Sequence, residues 1–419
     1  MSDLSSRNVV TPTNRYRNNA KAIGIGNEFW DTSERNGLAG IVADLADGIL
    51  HTEAGHEFVN FSCCSYLDLD SHPKVIEGGI EAMRRYGVLD HCIPRTRVQI
   101  PAMLELEASL DELFGAQTIC SIAASTASFG LLPLIASGDL GNGTRPLMVF
   151  DKNAHISMAN VKPVCADETE IATCRHNDLD FIEDCCRKYA RVAFICDGSD
   201  SLGGYAPVQE LAQLQDKYGL MVYYDDSHSL SAYGERGVGY VRSHSPIRDE
   251  RTIVVMTLNK AFGTSGAVIV LDGHSKQTLR IIERFGAALA YSQPMNTAAI
   301  GASLASAQIH RTAELTMRQE GLRENIALFD SLIRTDQSGR TFPIRLVPIS
   351  DATVIEAGRR VFEAGFYVSP VFFPIVARGT AGLRVMLRYG HTDKQIRRLC
   401  EVLEEVGAPA AAIEPEPVR

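Results

Sequence analysis

Four apolar runs in the middle of the chain each stop at a residue able to do chemistry or to bind an anion. They end at Asp151 with His155 soon after, at Asp197 ahead of Ser201, at Asp225 ahead of His228, and at Thr257 ahead of Lys260. In open α/β sheets, ligands sit beyond the carboxyl ends of the strands. Independent surface loops would not place an Asp or Thr directly after four strands, so one anionic ligand gripped from one sheet edge is the more economical reading. In Asp225-Asp226-Ser227-His228, a desolvated aspartate facing a heteroaromatic nitrogen would keep that nitrogen protonated, and a protonated pyridine is a strong electron sink. Alone, the tetrapeptide is as readily a solvated turn with a helix N-cap. Lys260 stands among small and apolar residues, with Gly263 and Gly266 behind it. Partial desolvation would lower its pKa and free the amine to form a Schiff base. A lone lysine is usually a surface group, but one placed a single crossover after Asp225 is better read as functional. The small residues Ala123-Ala124-Ser125-Thr126-Ala127-Ser128 precede an apolar helical stretch and would let a phosphate approach backbone N–H groups at a helix start. A close-packed helix start would look the same. His155 could lie flat on a cofactor ring, although a lone histidine is more often a structural hydrogen-bonder.

These residues need a frame, and the chain supplies one. Short apolar runs at 147–150, 192–196, 220–224, 253–256 and 267–271 alternate with helical spacing at 103–114, 208–218, 276–286, 295–332 and 392–406. That alternation predicts a mostly parallel sheet covered by helices. The long stretch 295–332 has no proline after Pro294 and is expected to be one helix joining a large α/β unit to a smaller C-terminal one. The expected organisation is an N-terminal segment (1–70), a large cofactor-binding domain (71–300), a linker helix with a small C-terminal domain (301–406), and a frayed tail (407–419).

Bulk properties narrow the class. The 419 residues exceed one ordinary core. They are 45% apolar and 22% charged, with a formal charge of −10, which suits a globular protein without a nucleic-acid or anionic-membrane surface. No apolar run approaches the roughly 20 residues of a membrane span, and residues 1–19 lack the apolar segment of a secretory signal. The ten cysteines form no CxxC unit and read as reduced cytoplasmic thiols. The histidines have no metal-ligand spacing, and no P-loop or GxSxG elbow is present; no metal is expected.

The constellation resembles the α-oxoamine synthases, the fold-type-I pyridoxal-phosphate (PLP) group that contains 2-amino-3-ketobutyrate ligase, 8-amino-7-oxononanoate synthase, serine palmitoyltransferase and the vibrio autoinducer synthase. The anchors are Asn60-Phe61-Ser62-Cys63-Cys64-Ser65-Tyr66-Leu67, Asp225-Asp226-Ser227-His228, Thr257-Leu258-Asn259-Lys260-Ala261-Phe262-Gly263, and Gly382-Leu383-Arg384 ahead of His391. The resemblance implies a PLP-dependent transferase of fold type I: a large domain with a mostly parallel seven-stranded sheet and a smaller α+β C-terminal domain. It implies Lys260 as the Schiff-base lysine, Asp225 as partner of the pyridine nitrogen, His228 and Ser201 near the ring oxygen, and His155 stacked on the ring. Ser125, Thr126 and Thr257 would bind phosphate, and Arg384 would clamp a substrate carboxylate. The family's active site lies at a homodimer interface, so Tyr66 and Ser292 would serve the neighbouring subunit, Tyr66 also as a substrate contact.

Three departures from the family pattern bear on substrate. Cys64 stands where the family has Asn. Ile93-Pro94-Arg95-Thr96-Arg97-Val98-Gln99-Ile100-Pro101 replaces a glycine-rich stretch, and Met103 replaces a histidine. These positions shape the second-substrate end of the pocket. The expected activity is C–C bond formation at an amino-acid-derived carbanion with an acceptor or acyl donor, in specialised metabolism, with S-adenosylmethionine as a candidate amino acid. The alternatives are an aminotransferase, or γ-elimination of S-adenosylmethionine and annulation onto an electrophile such as a nicotinamide ring. A non-catalytic partner subunit is disfavoured by the presence of Lys260.

Overall fold

The computed structural model describes residues 19–141 and 143–411. Its centre is a seven-stranded sheet of β4 (Gln117–Ser121), β5 (Leu147–Asp151), β6 (Ile171–Cys174), β7 (Val192–Asp197), β8 (Met221–Asp225), β9 (Thr252–Thr257) and β10 (Ala267–Leu271). The spatial order is β4-β10-β9-β8-β7-β5-β6. Only β10 runs antiparallel, to both β4 and β9. Central strands such as β9 are buried along their whole length. This is why they read as continuous apolar runs rather than as alternating ones: helices cover both faces. Separate apolar clusters fill the two sides of the sheet.

Before the sheet come β1 (Ala43–Ala46), β2 (Ile49–Thr52) and β3 (Glu57–Asn60). After it come β11 (Ile344–Pro348), β12 (Phe366–Tyr367), β13 (Ser369–Val371) and β14 (Gly382–Met386). Strand β12 pairs in parallel with β3, so the chain's N-terminal strands share a sheet with its C-terminal part. A third apolar cluster joins Phe61, Tyr66 and Leu69 to Leu383, Val385 and Leu399. The segment that holds Tyr66 is thereby packed on the layer that carries Arg384.

Two sequence expectations are corrected. The stretch 295–332 is two helices, Thr297–Ile309 and Ala313–Asp330. The break falls at His310–Thr312, where the Thr312 side chain accepts from the Glu314 N–H and starts the second helix. The earlier of the two lies against the helix Pro73–Tyr86 so closely that a Cβ on Gly301 would come within 2.2 Å of the Gly78 carbonyl oxygen. The tail is not frayed from Gly407 onward. Ala410 bridges Ile333, and the Ala411 N–H donates to the Leu332 carbonyl. The rest of that tail and residues 1–18 lie outside the described residues. Among the described residues no helix is long and apolar enough to cross a membrane.

Candidate active site

Strand register gathers the chemistry at one sheet edge. Ala267 pairs with both Ser121 and Thr257, and Asp197 pairs with Asp225. Neighbouring strands lie about 4.8 Å apart, so the ends of β4, β9, β8 and β7 form one short row. Asp225 is buried at the end of β8. Its carboxylate accepts from the Ser227 N–H at 3.1 Å and the Ser157 hydroxyl at 3.3 Å. Asp226 is engaged elsewhere: its oxygens accept from the Ser199 hydroxyl at 3.0 Å and the Val241 N–H at 2.9 Å. Burial pushes the Asp226 carboxyl up to about 7, against the pull of those hydrogen bonds. Of the two adjacent aspartates, Asp225 is the one whose charge acts on both Lys260 and His155.

Lys260 follows β9 on a tight loop in which the Gly263 N–H donates to the Lys260 carbonyl at 2.9 Å. Gly263 has φ +77°, and a Cβ there would come within 2.4 Å of the Leu69 backbone. No side chain fits, and the lysine loop is thereby pressed against the Tyr66–Leu69 segment. Burial lowers the Lys260 amine pKa; Asp225, Cys64 and Asp197 act in the opposite direction, and Arg384 reinforces the fall. His155 begins the short helix Ile156–Ala159, its Nδ1 lies 2.9 Å from the Ser157 hydroxyl, and its backbone N–H donates to Asp197 at 2.9 Å. His155 is exposed as a whole, yet desolvation of its inner side lowers its pKa, opposed by Asp225. Burial, and then the nearby Asp225 charge, hold the Asp197 carboxyl well above the usual range.

His228 and Tyr66 meet through Nδ1 and Oη at 2.7 Å. Tyr66 is wholly buried, and its hydroxyl engages a histidine of its own chain. The apolar cluster between Phe61 and Leu383 draws this segment inward. Arg384 sits on β14 and donates from Nη1 to the Ser201 carbonyl at 3.3 Å, while its buried Nε has no partner among the described residues. Thr257 Oγ1 lies 2.5 Å from Asn259 Oδ1 and 3.2 Å from the Gly266 carbonyl. Ser125 and Thr126 occupy the first turn of the helix Ala124–Ala136, whose N-cap residue Ala123 offers no side-chain cap. Its free N–H groups suit a phosphate.

Ser292 lines a cavity of about 10 Å³ with Arg95, Met103, Cys120, Ser121 and Ile122, at the end of β4, room for about one water. Arg95 was not singled out in the sequence. It is buried, with Nη1 on Glu107 at 2.9 Å and on the Cys120 carbonyl at 3.0 Å, and Nη2 on Glu283 at 3.1 Å. Its signal was an arginine twelve residues before a glutamate on an amphipathic helix, which only the fold brings together. Asp197 and Ser157 join the site through the His155 N–H and the Asp225 carboxylate, contacts that no local spacing signals. Among the described residues, no group of three or more His, Cys, Asp or Glu could hold a metal.

The gathered groups fit PLP. An amine on a half-buried lysine, a buried carboxylate, an uncapped helix start and an arginine with an orphaned Nε converge on one edge.

The aminotransferase class I and II family matches residues 146–403, more than half of the chain. The 8-amino-7-oxononanoate synthase of Alkaliphilus oremlandii is 30% identical over 376 residues, covering 86% of this chain and 90% of that protein. The chain belongs to the α-oxoamine synthase family. As an α-oxoamine synthase-family member it is a PLP-dependent transferase of fold type I. The corresponding synthase of Alkaliphilus metalliredigens is 28% identical over 368 residues, covering 84% of this chain and 88% of the relative. Among solved structures, serine palmitoyltransferase from S. paucimobilis superposes with a TM-score of 0.80 at 20% identity, covering 93% of this chain and 98% of the other. The 8-amino-7-oxononanoate synthase from Francisella tularensis gives 0.67 at 18% identity, over 83% and 97%. The seven-stranded, mostly parallel sheet is the fold these proteins share.

Proposed function

We propose that this chain forms a carbon–carbon bond at the α-carbon of an amino acid larger than glycine, of the S-adenosylmethionine type, in specialised metabolism. The proposed assembly is a cytoplasmic homodimer. When bound, PLP supplies an electron sink conjugated to the amino acid's α-carbon. The chain's own groups do the rest. Lys260, its pKa lowered by burial, offers an amine to hold the cofactor. Asp225, anchored by Ser227 and Ser157, would keep the pyridine nitrogen protonated, and His155 would lie on the ring. His228 and Ser201 would hold the ring oxygen, and Ser125, Thr126 and Thr257 the phosphate. Arg384 would take the substrate carboxylate through its planar fork.

The observation that carries the substrate reading is the filled second-substrate end. Where the family's histidine would stand, Met103 is 3% exposed, and Arg95 is pinned among Glu107, Glu283 and Cys120. Beside Lys260, Cys64 donates from Sγ to Met386 Sδ at 3.5 Å. These soft, polarisable sulfur groups suit a large sulfur-bearing side chain better than a hydrated acyl thioester. The exposed Ile122 and Phe129 next to the helix start support a second copy covering that rim.

The test is to offer the PLP-loaded protein glycine with short acyl-CoAs, and S-adenosylmethionine alone, while following the visible spectrum, CO₂ and free CoA. The proposal expects spectral change with S-adenosylmethionine and little CoA release with glycine. Efficient CoA and CO₂ release from glycine, with S-adenosylmethionine inert, would make the protein an ordinary oxoamine synthase.

A further inference from the structure

Tyr66 and His228 are 162 positions apart in sequence, yet their Oη and Nδ1 atoms lie 2.7 Å apart. Tyr66 is 0% exposed and His228 8%. The pair is held from three sides. The Tyr66 N–H donates to the Cys64 carbonyl at 2.9 Å, and the Tyr389 N–H donates to the Tyr66 carbonyl at 2.9 Å. The Leu69 backbone three residues on leaves no room for a side chain at Gly263 of the lysine loop. This geometry is a built contact between the Tyr66 segment and the end of β8.

Which atom carries the proton follows from the chemistry of the two groups. Burial drives the phenol pKa well above its ordinary value, so Tyr66 keeps its O–H. Burial, helped by Lys260, Arg384 and His155, drives the His228 pKa well below its ordinary value, so the ring is neutral. A neutral imidazole has one N–H and one acceptor nitrogen. The phenol must place its hydrogen on an acceptor, and the choice near it is the imidazole nitrogen or the Cys64 sulfur. Sulfur accepts weakly, whereas an sp² nitrogen at 2.7 Å is a strong acceptor. The hydrogen bond at one ring nitrogen decides which tautomer the histidine adopts.

We infer that Tyr66 is a positioning residue whose O–H fixes His228 as the Nε2–H tautomer, so that the ring presents a hydrogen-bond donor to the site. The inference rests on the proposed placement of His228 beside the ring oxygen of PLP for its functional meaning, but not for its chemistry. A donor at Nε2 stabilises an anionic oxygen; the opposite tautomer would set a lone pair against it. Tyr66 would thus act on the cofactor through His228. Its burial also explains why the residue after Ser65 is aromatic with a polar tip: a phenylalanine would fill the same space and leave the tautomer free.

The test uses cofactor-free, ¹⁵N-histidine-labelled protein. Long-range ¹H–¹⁵N spectra distinguish Nε2, which couples to both ring C–H groups, from Nδ1, which couples to one; His228→Asn identifies the signals. The expected result is a neutral His228 with its proton on Nε2, changing to a mixed or Nδ1–H population in Tyr66→Phe. A wild-type ring protonated at Nδ1, or one whose tautomer is unmoved by Tyr66→Phe, would overturn the inference. If Tyr66→Phe does not fold, the wild-type spectrum decides alone. In the loaded protein, Tyr66→Phe should weaken PLP binding by roughly two- to tenfold, the scale of one lost hydrogen bond. It should also shift the pH at which the visible cofactor band changes. Failure of wild-type protein to take up PLP would sink the functional reading while leaving the tautomer result standing.

Discussion

Replacing Asp225 with Asn changes one charge and little else. The two carboxylate oxygens accept from the Ser227 N–H at 3.1 Å and the Ser157 hydroxyl at 3.3 Å. An amide oxygen can keep the first bond, and its NH₂ can donate to the Ser157 hydroxyl oxygen, so the local fold should survive. What goes is a negative charge in a buried site. Two unit charges about 4 Å apart interact by about 4 kcal/mol at an effective dielectric of 20, and lost preorganised electrostatics in other active sites cost about 3–4 kcal/mol. The expected effect on breaking the substrate's Cα–H bond is therefore about two to three orders of magnitude. The assay is exchange of the amino acid's α-proton in D₂O, followed by proton NMR on protein with measured PLP content. Asp226→Asn is the control. Its carboxyl is pushed up to about 7 by burial and its oxygens are taken by Ser199 and Val241, so exchange should stay within about tenfold of wild type, well short of what a lost electrostatic partner costs. Near-normal exchange in Asp225→Asn, or the large loss in Asp226→Asn, would refute the assignment.

Arg384→Ala should raise the amino-acid KM by about ten- to a hundredfold, the scale of a lost hydrogen bond to a charged group, while PLP content holds. Arg384→Lys should recover only part of it, because an ammonium lacks the fork, and an unchanged KM in either variant would remove Arg384 from the carboxylate site. His310 makes stability depend on pH. It is buried between the Ser306 carbonyl and the Ser231 hydroxyl, both at 2.8 Å, and burial lowers its pKa to about 4. An unfolded histidine titrates near about 6.5, so this contribution is whole above that pH and is lost as pH falls towards about 4. By pH 5 the loss is about 2 kcal/mol. Asp226 acts in the opposite sense, so urea unfolding of wild type should be compared with His310→Gln at pH 7 and pH 5; equal pH slopes would contradict the prediction.

Much of this arrangement was legible in the chain because it is local. A buried parallel strand reads as an apolar run, and the residue after it stands at the ligand edge, so Asp225, Thr257 and Lys260 could be placed from spacing alone. Strand β10 and the helix Val208–Tyr218 begin and end where their apolar patterns do. The long helix failed because 295–332 keeps its apolar spacing across the break; the stop is a cap at Thr312, a side-chain hydrogen bond with no trace in hydrophobic period. Long-range partners were out of reach for the same reason. Nothing in residues near Tyr66 says that its hydroxyl meets His228, and nothing near Arg95 points to Glu283, 188 positions away. The inward turn of Tyr66 comes from packing between the N-terminal strands and the C-terminal sheet, which local pattern does not encode. Ser292 was placed from family likeness, and the fold sets it beside Met103, Arg95 and the end of β4.

Lys260 is proposed to carry the cofactor at the edge where Asp225, His155 and Arg384 converge. Purified protein incubated with PLP, reduced with borohydride and digested should yield a single cofactor-bearing peptide, the one containing Lys260, and Lys260→Ala should yield none. A protein that stays colourless with PLP, or a label on any other lysine, would contradict the account.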